Sequence, residues 1–124
     1  MRKSNLNNDL INITQPNCII AKLIMQAIAK YFNISIDDFI TKKYKKDFQY
    51  VKLITIGVLK LYNIPNEIIK KYTKHNYSVI QKIYKKYTNL SNISIPIQND
   101  TKRITELVVL SISEAFNSLN IKGD

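Results

Sequence analysis

From Pro16 onward the chain alternates between segments whose apolar side chains recur every three or four residues and short polar breaks. Ile19, Ile20, Leu23, Ile24, Ala27, Ile28, Tyr31 and Phe32 follow the i, i+3, i+4, i+7 spacing of an amphipathic helix that begins at Pro16 and ends at Asn33. Ser35-Ile36-Asp37-Asp38 is a Ser-x-x-acid capping pattern, starting a short helix that turns Phe39 and Ile40 inward. Thr41 to Lys46 has no apolar period and reads as a solvated loop. The period returns from Phe48 to Tyr62, with Val51, Ile54, Val58, Leu61 and Tyr62 in one stripe that Leu53, Ile56 and Leu59 widen. Gly57 in its middle costs up to about 1 kcal/mol relative to alanine, and either permits a close approach or is incidental. Asn63-Ile64-Pro65 breaks this helix, and Asn66 is the expected N-cap of the next.

Ile68, Ile69 and Tyr72 make about two helical turns, and Thr73-Lys74-His75 is the following turn. Asn76 caps a longer helix through about Tyr87, with Val79, Ile80, Ile83, Tyr84 and Tyr87 on its apolar side. Tyr77, Ser78, Gln81, Lys82, Lys85 and Lys86 lie on the other. A short helix, a three-residue turn and a longer one-sidedly polar helix are the order of elements in a helix-turn-helix. Residues 88–99, with Pro96, read as a connector, and Asp100 as the cap of a last helix over 100–120. The apolar face of that helix is broad enough either to cover the core or to pair with a second subunit. With only two glycines and three prolines, the expected fold class is all-α. It is a small bundle of about six helices forming one domain over 16–124, preceded by a flexible polar arm at 1–15.

Charge changes this picture. Residues 42–86 hold twelve lysines against Asp47 and Glu67, which accounts for the whole formal charge of +10. A lysine- and isoleucine-rich composition is the mark of an AT-rich genome, but codon drift would spread the lysines evenly. Their concentration beside a helix-turn-helix order points to nucleic acid.

Other chemistry is thin. Cys18 is the only cysteine and falls on an apolar helical position, as a buried inert thiol does. The N-terminal stretch has no signal-peptide core, and no apolar run reaches the ~18 residues of a membrane span, so a soluble cytoplasmic protein without a membrane partner is expected. His75, the only histidine, has no cysteine or carboxylate cluster near it, so no metal is expected. No carboxylate pair, nucleophile–base pair or Gly-rich phosphate loop suggests catalysis, so neither an enzyme nor a cofactor is expected.

The order of residues from about Ile28 to Lys86 resembles the C-terminal DNA-binding domain of the bacterial replication initiator DnaA, a helix-turn-helix of Trp-repressor type. Ile28-Ala29-Lys30-Tyr31-Phe32-Asn33-Ile34 is similar to the family's first helix and its Tyr-Phe/Tyr-x-Ile exit. Asp38-Phe39 stands where the family has Asp-Leu, Lys42 to Lys46 on its basic loop, and Lys52-Leu53-Ile54 on its Arg-x-Ile. Glu67-Ile68 matches Glu-Ile, Tyr72 the terminal aromatic, and His75-Asn76-Tyr77-Ser78-Val79 lies on the Asp-His-Ser/Thr-Thr-Val signature. Because His75, Asn76 and Tyr77 depart from that signature, the resemblance implies the docking mode more strongly than the same target sequence. It implies a recognition helix in the major groove, a basic loop on the backbone and minor groove, and a place in a bacterial nucleoid.

The expected partner is double-stranded DNA, with a homodimer through the C-terminal helix as a further possibility. Lys42, Lys43, Lys45, Lys46, Lys52, Lys74 and Lys85 are the candidate backbone contacts, and His75, Asn76, Tyr77, Ser78, Gln81 and Lys82 the candidate base-facing residues. Asn76 is a cap or an adenine reader, and Tyr77 reads the groove or folds back onto the preceding helix. Two other readings stand beside this one: a protein-interaction module that keeps the fold without DNA reading, and a charge-driven binder without sequence preference.

Overall fold

The computed structural model describes residues 16–41 and 46–123. Among them are six α-helices and one 3-10 turn, with no strand: α1 Pro16–Phe32, α2 Ile36–Thr41, the turn Lys46–Phe48, α3 Gln49–Leu61, α4 Asn66–Thr73, α5 Tyr77–Ser91 and α6 Ile95–Gly123. The N-terminal arm expected at 1–15 lies outside the described residues, as do residues 42–45 of the basic loop.

Two helices end by the same device. Asn33 and Asn63 take left-handed backbone, with φ of 55° and 57°. After α1 the Ile34 N–H donates to Ala29 O at 2.9 Å and Asn33 to Lys30 O at 3.3 Å. After α3 the Ile64 N–H donates to Leu59 O at 3.1 Å and Asn63 to Lys60 O at 2.9 Å. These are paired Schellman bonds, and asparagine is the non-glycine residue that enters this conformation most readily. Ser35 caps α2 as its pattern predicts, accepting the Asp38 N–H at 2.9 Å. Asn66 does not cap α4. Pro65 takes the N-cap place, and the Asn66 Oδ1 instead accepts from Lys60 Nζ at 2.8 Å, tying α3 to α4.

The helix α3 is the axis of the bundle, buried from Val51 through Leu59 and packed against α1, α5 and α6. Its Ile54, Ile56 and Leu59 meet Ile24 of α1, Ile69 of α4, Ile80 of α5 and Ile104 of α6 in one fully buried cluster. Gly57 is not incidental: a Cβ there would stand 2.4 Å from carbons of the Tyr87 ring.

The C-terminal third departs from the sequence reading. Residues 88–99 are not a connector, because α5 continues to Ser91 and α6 begins at Ile95 after a tight turn. Ser94 supplies the local signal, its Oγ accepting the Ile97 N–H at 3.3 Å, with Pro96 tolerated in the first turn. Asp100 is therefore inside α6 and caps nothing. Its two carboxylate oxygens accept from Tyr31 at 2.6 Å and Tyr50 at 2.5 Å, joining α1, α3 and α6. This bond and burial raise the Tyr31 phenol above its ordinary pKa. For Tyr50 burial is the larger cause, the Asp100 bond the second, and the shift is larger. At 29 residues α6 is about 43 Å long. No described helix is long and apolar enough to cross a membrane.

Candidate nucleic-acid interface

The polar side of α5 is built outward from its cap. Asn76 has extended backbone, and its Oδ1 accepts the Val79 N–H at 3.0 Å. The Ser78 hydroxyl donates to the same oxygen at 3.0 Å. Two lone pairs are thus occupied, which leaves the amide NH2 as the group Asn76 offers a ligand. Bidentate pairing with adenine needs the oxygen too, so Asn76 acts as a cap first and a donor second.

Tyr77 is 58% exposed, so its ring does not fold back onto α4. Its hydroxyl accepts from Gln81 Nε2 at 2.9 Å, one turn along. Ser78, Gln81, Lys82, Lys85 and Lys86 are exposed too. The helical period puts them on the side opposite the buried Ile80 and Tyr87, with Tyr77 at the edge of that side. Because α5 runs on to Ser91, Lys85 and Lys86 stand before its last turn, where a C-terminal dipole does not account for them.

The turn before α5 is also cationic. Lys74 is exposed in left-handed backbone (φ 61°), its N–H donating to Lys70 O at 2.9 Å. Glu67, Lys70, Lys71, Lys74, His75 and Asn76 line a shallow concavity of about 540 Å³ beside the α5 N-terminus. Lys70 and Lys71 were not among the candidate contacts. The signal for Lys70 is its i, i+4 spacing to Lys74, and for Lys71 its i, i+3 spacing, at one helix exit.

Two candidates are corrected. His75 is 2% exposed and packed into the body, so its ring does not face a groove. Lys52 is 7% exposed, in the buried run of α3, and is not a surface phosphate contact. Both errors arise because a position's burial depends on elements distant in sequence. Lys46 is exposed at the start of the 3-10 turn. Lys42, Lys43 and Lys45 lie outside the described residues. The structure therefore brings together Lys74, Asn76, Tyr77, Ser78, Gln81, Lys82 and Lys85.

Beside this face a slot of about 580 Å³ opens between α3 and α5, with a wall from α6. Leu53, Val79, Ile83, Leu90 and Ile97 give it apolar surface, with Gln49 and Tyr50 at its margin. Lys52, Lys82 and Lys86 supply the cations. Among the described residues no group of three or more His, Cys, Asp or Glu side chains could hold a metal ion.

Fold and site define an all-α bundle that presents one cationic, polar helix face. A scan against protein-family models and searches of curated proteins and of solved structures each returned no match.

Proposed function

We propose that this chain binds double-stranded DNA by laying the exposed side of α5 in the major groove, as a regulator of replication or transcription with a DnaA-like helix-turn-helix. The observation that carries the reading is the α4–α5 unit: a capped fifteen-residue helix whose exposed side is Tyr77, Ser78, Gln81, Lys82 and Lys85, entered through a turn bearing Lys74. Lysines at the turn and along the rim would release counterions from the backbone. Gln81 can present both donor and acceptor to adenine, and Tyr77 can lie against a thymine methyl.

Selection from a randomised duplex pool at about 150 mM salt, followed by sequencing, tests it. A short enriched motif that disappears in a Tyr77→Ala, Gln81→Ala variant supports a sequence reader. Binding without enrichment reduces the function to charge-driven contact, and absence of binding removes DNA as the partner.

A second reading, self-association, is favoured by one feature of α6. Val109 and Leu110 are each 58% exposed and Phe116 is 65% exposed. Thr105, Val109, Ile112 and Phe116 follow the four-three-four spacing of a helix-pairing seam. A homodimer through this seam would present two α5 helices to one duplex. Sedimentation of the wild-type chain and of Phe116→Gln distinguishes dimer from monomer.

A further inference from the structure

We propose that the slot between α3 and α5 is a binding site for a small anionic amphiphile, a carboxylate carried on a single alkyl chain. Its size, about 580 Å³, lies in the range of small-molecule sites, which are mainly apolar with a few placed polar groups. The apolar floor at Leu53, Ile83 and Ile97 comes from three different helices, so it is a feature of the assembled bundle and not of one helix face.

Charge selects the headgroup. Lys52, Lys82 and Lys86 all line the slot, and among the described residues no carboxylate does. Lys52 is enclosed in the body at 7% exposure, whereas Lys82 and Lys86 stand one turn apart on the exposed edge of α5. Lysine stems can lie along apolar wall while their ammonium groups stay at the rim. An alkyl chain would cover the floor, and its carboxylate would meet the rim ammonium groups in charge-assisted hydrogen bonds. A cationic amphiphile would meet like charge at the same place. A nucleic-acid backbone would satisfy the lysines but leave the apolar floor uncovered.

Lys82 belongs to this slot and to the exposed side of α5. A bound carboxylate therefore neutralises a cation that the proposed DNA reading uses, so ligand and duplex compete. This consequence alone rests on that reading; ligand binding itself does not.

Calorimetric titration of the full chain with dodecanoate, below its micelle concentration and with no DNA present, tests the site. Amide chemical-shift mapping locates the ligand. Expected are one saturable site and shifts centred on Leu53, Ile83 and Ile97. Dodecanol should bind roughly tenfold more weakly, as should dodecanoate to a Lys82→Gln, Lys86→Gln variant. A charge-matched Lys22→Gln, Lys30→Gln variant on α1 should bind as the wild type does. No saturation, equal affinity for dodecanol, or shifts confined to Val109–Phe116 of α6 would each overturn the assignment. If dodecanoate binds the slot and duplex affinity is indifferent to it, the site stands and the competition with DNA falls.

Discussion

Gly57 of α3 lies against the ring of Tyr87 of α5, where an added Cβ would come within 2.6 Å of three ring carbons. The helix propensity lost at glycine, up to about 1 kcal/mol, is the cost of that approach. Tyr87 is itself 4% exposed, with its hydroxyl 2.9 Å from Thr101 Oγ1 of α6, so its ring has no free space into which to retreat. Gly57→Ala is expected to lower stability by about 1–3 kcal/mol despite its better helix propensity. Urea unfolding measures this, and a Tyr87→Leu background should make Gly57→Ala neutral or stabilising.

Asp100 sets an alkaline limit. Tyr31 and Tyr50 donate to it and both phenols are held above their ordinary pKa of 10. An acid whose folded pKa is raised stabilises the fold below its unfolded pKa and loses that contribution as pH rises through the folded value. Stability should therefore be insensitive to these tyrosines up to about pH 10 and fall above it. Tyr50→Phe should flatten the fall in denaturant titrations run between roughly pH 8 and pH 11. Asp100→Ala should cost about 1–2 kcal/mol at neutral pH by leaving two hydroxyls without their acceptor.

If the proposed DNA reading holds, the enclosed positions separate from the exposed ones in a salt titration of duplex binding. Lys74→Gln, Lys82→Gln and Lys85→Gln should each reduce the slope of log affinity against log salt by about one. Lys52→Gln, changing a residue within the body, should leave that slope as in the wild type.

Asn76 and His75 act on stability by different routes. Asn76→Ala should cost about 1 kcal/mol through the lost cap, and Asn76→Ser should recover most of it. His75→Ala should cost about 2–3 kcal/mol by opening a cavity while leaving any enriched duplex motif unchanged. A motif altered by His75→Ala at full stability would return the imidazole to the groove.

What the chain determines by itself is local. Periodic apolar spacing and short-range capping chemistry place α1 to α5, because a helix face and its caps involve residues within four or five positions of each other. Ser35 and Asn76 behave as their patterns predict for that reason, and the all-α class follows. The same local rules contained the start of α6 in Ser94 and Pro96, but Ile93, Ile95 and Ile97 recur there every second residue, which concealed the helical period. Tertiary structure alone decided that Gly57 receives Tyr87, that Asp100 serves Tyr31 and Tyr50 instead of capping, and that His75 and Lys52 are enclosed. It also formed the slot shared by Leu53, Ile83 and Ile97. Each of these joins residues far apart in the chain, and burial at one position is set by which distant helix packs over it.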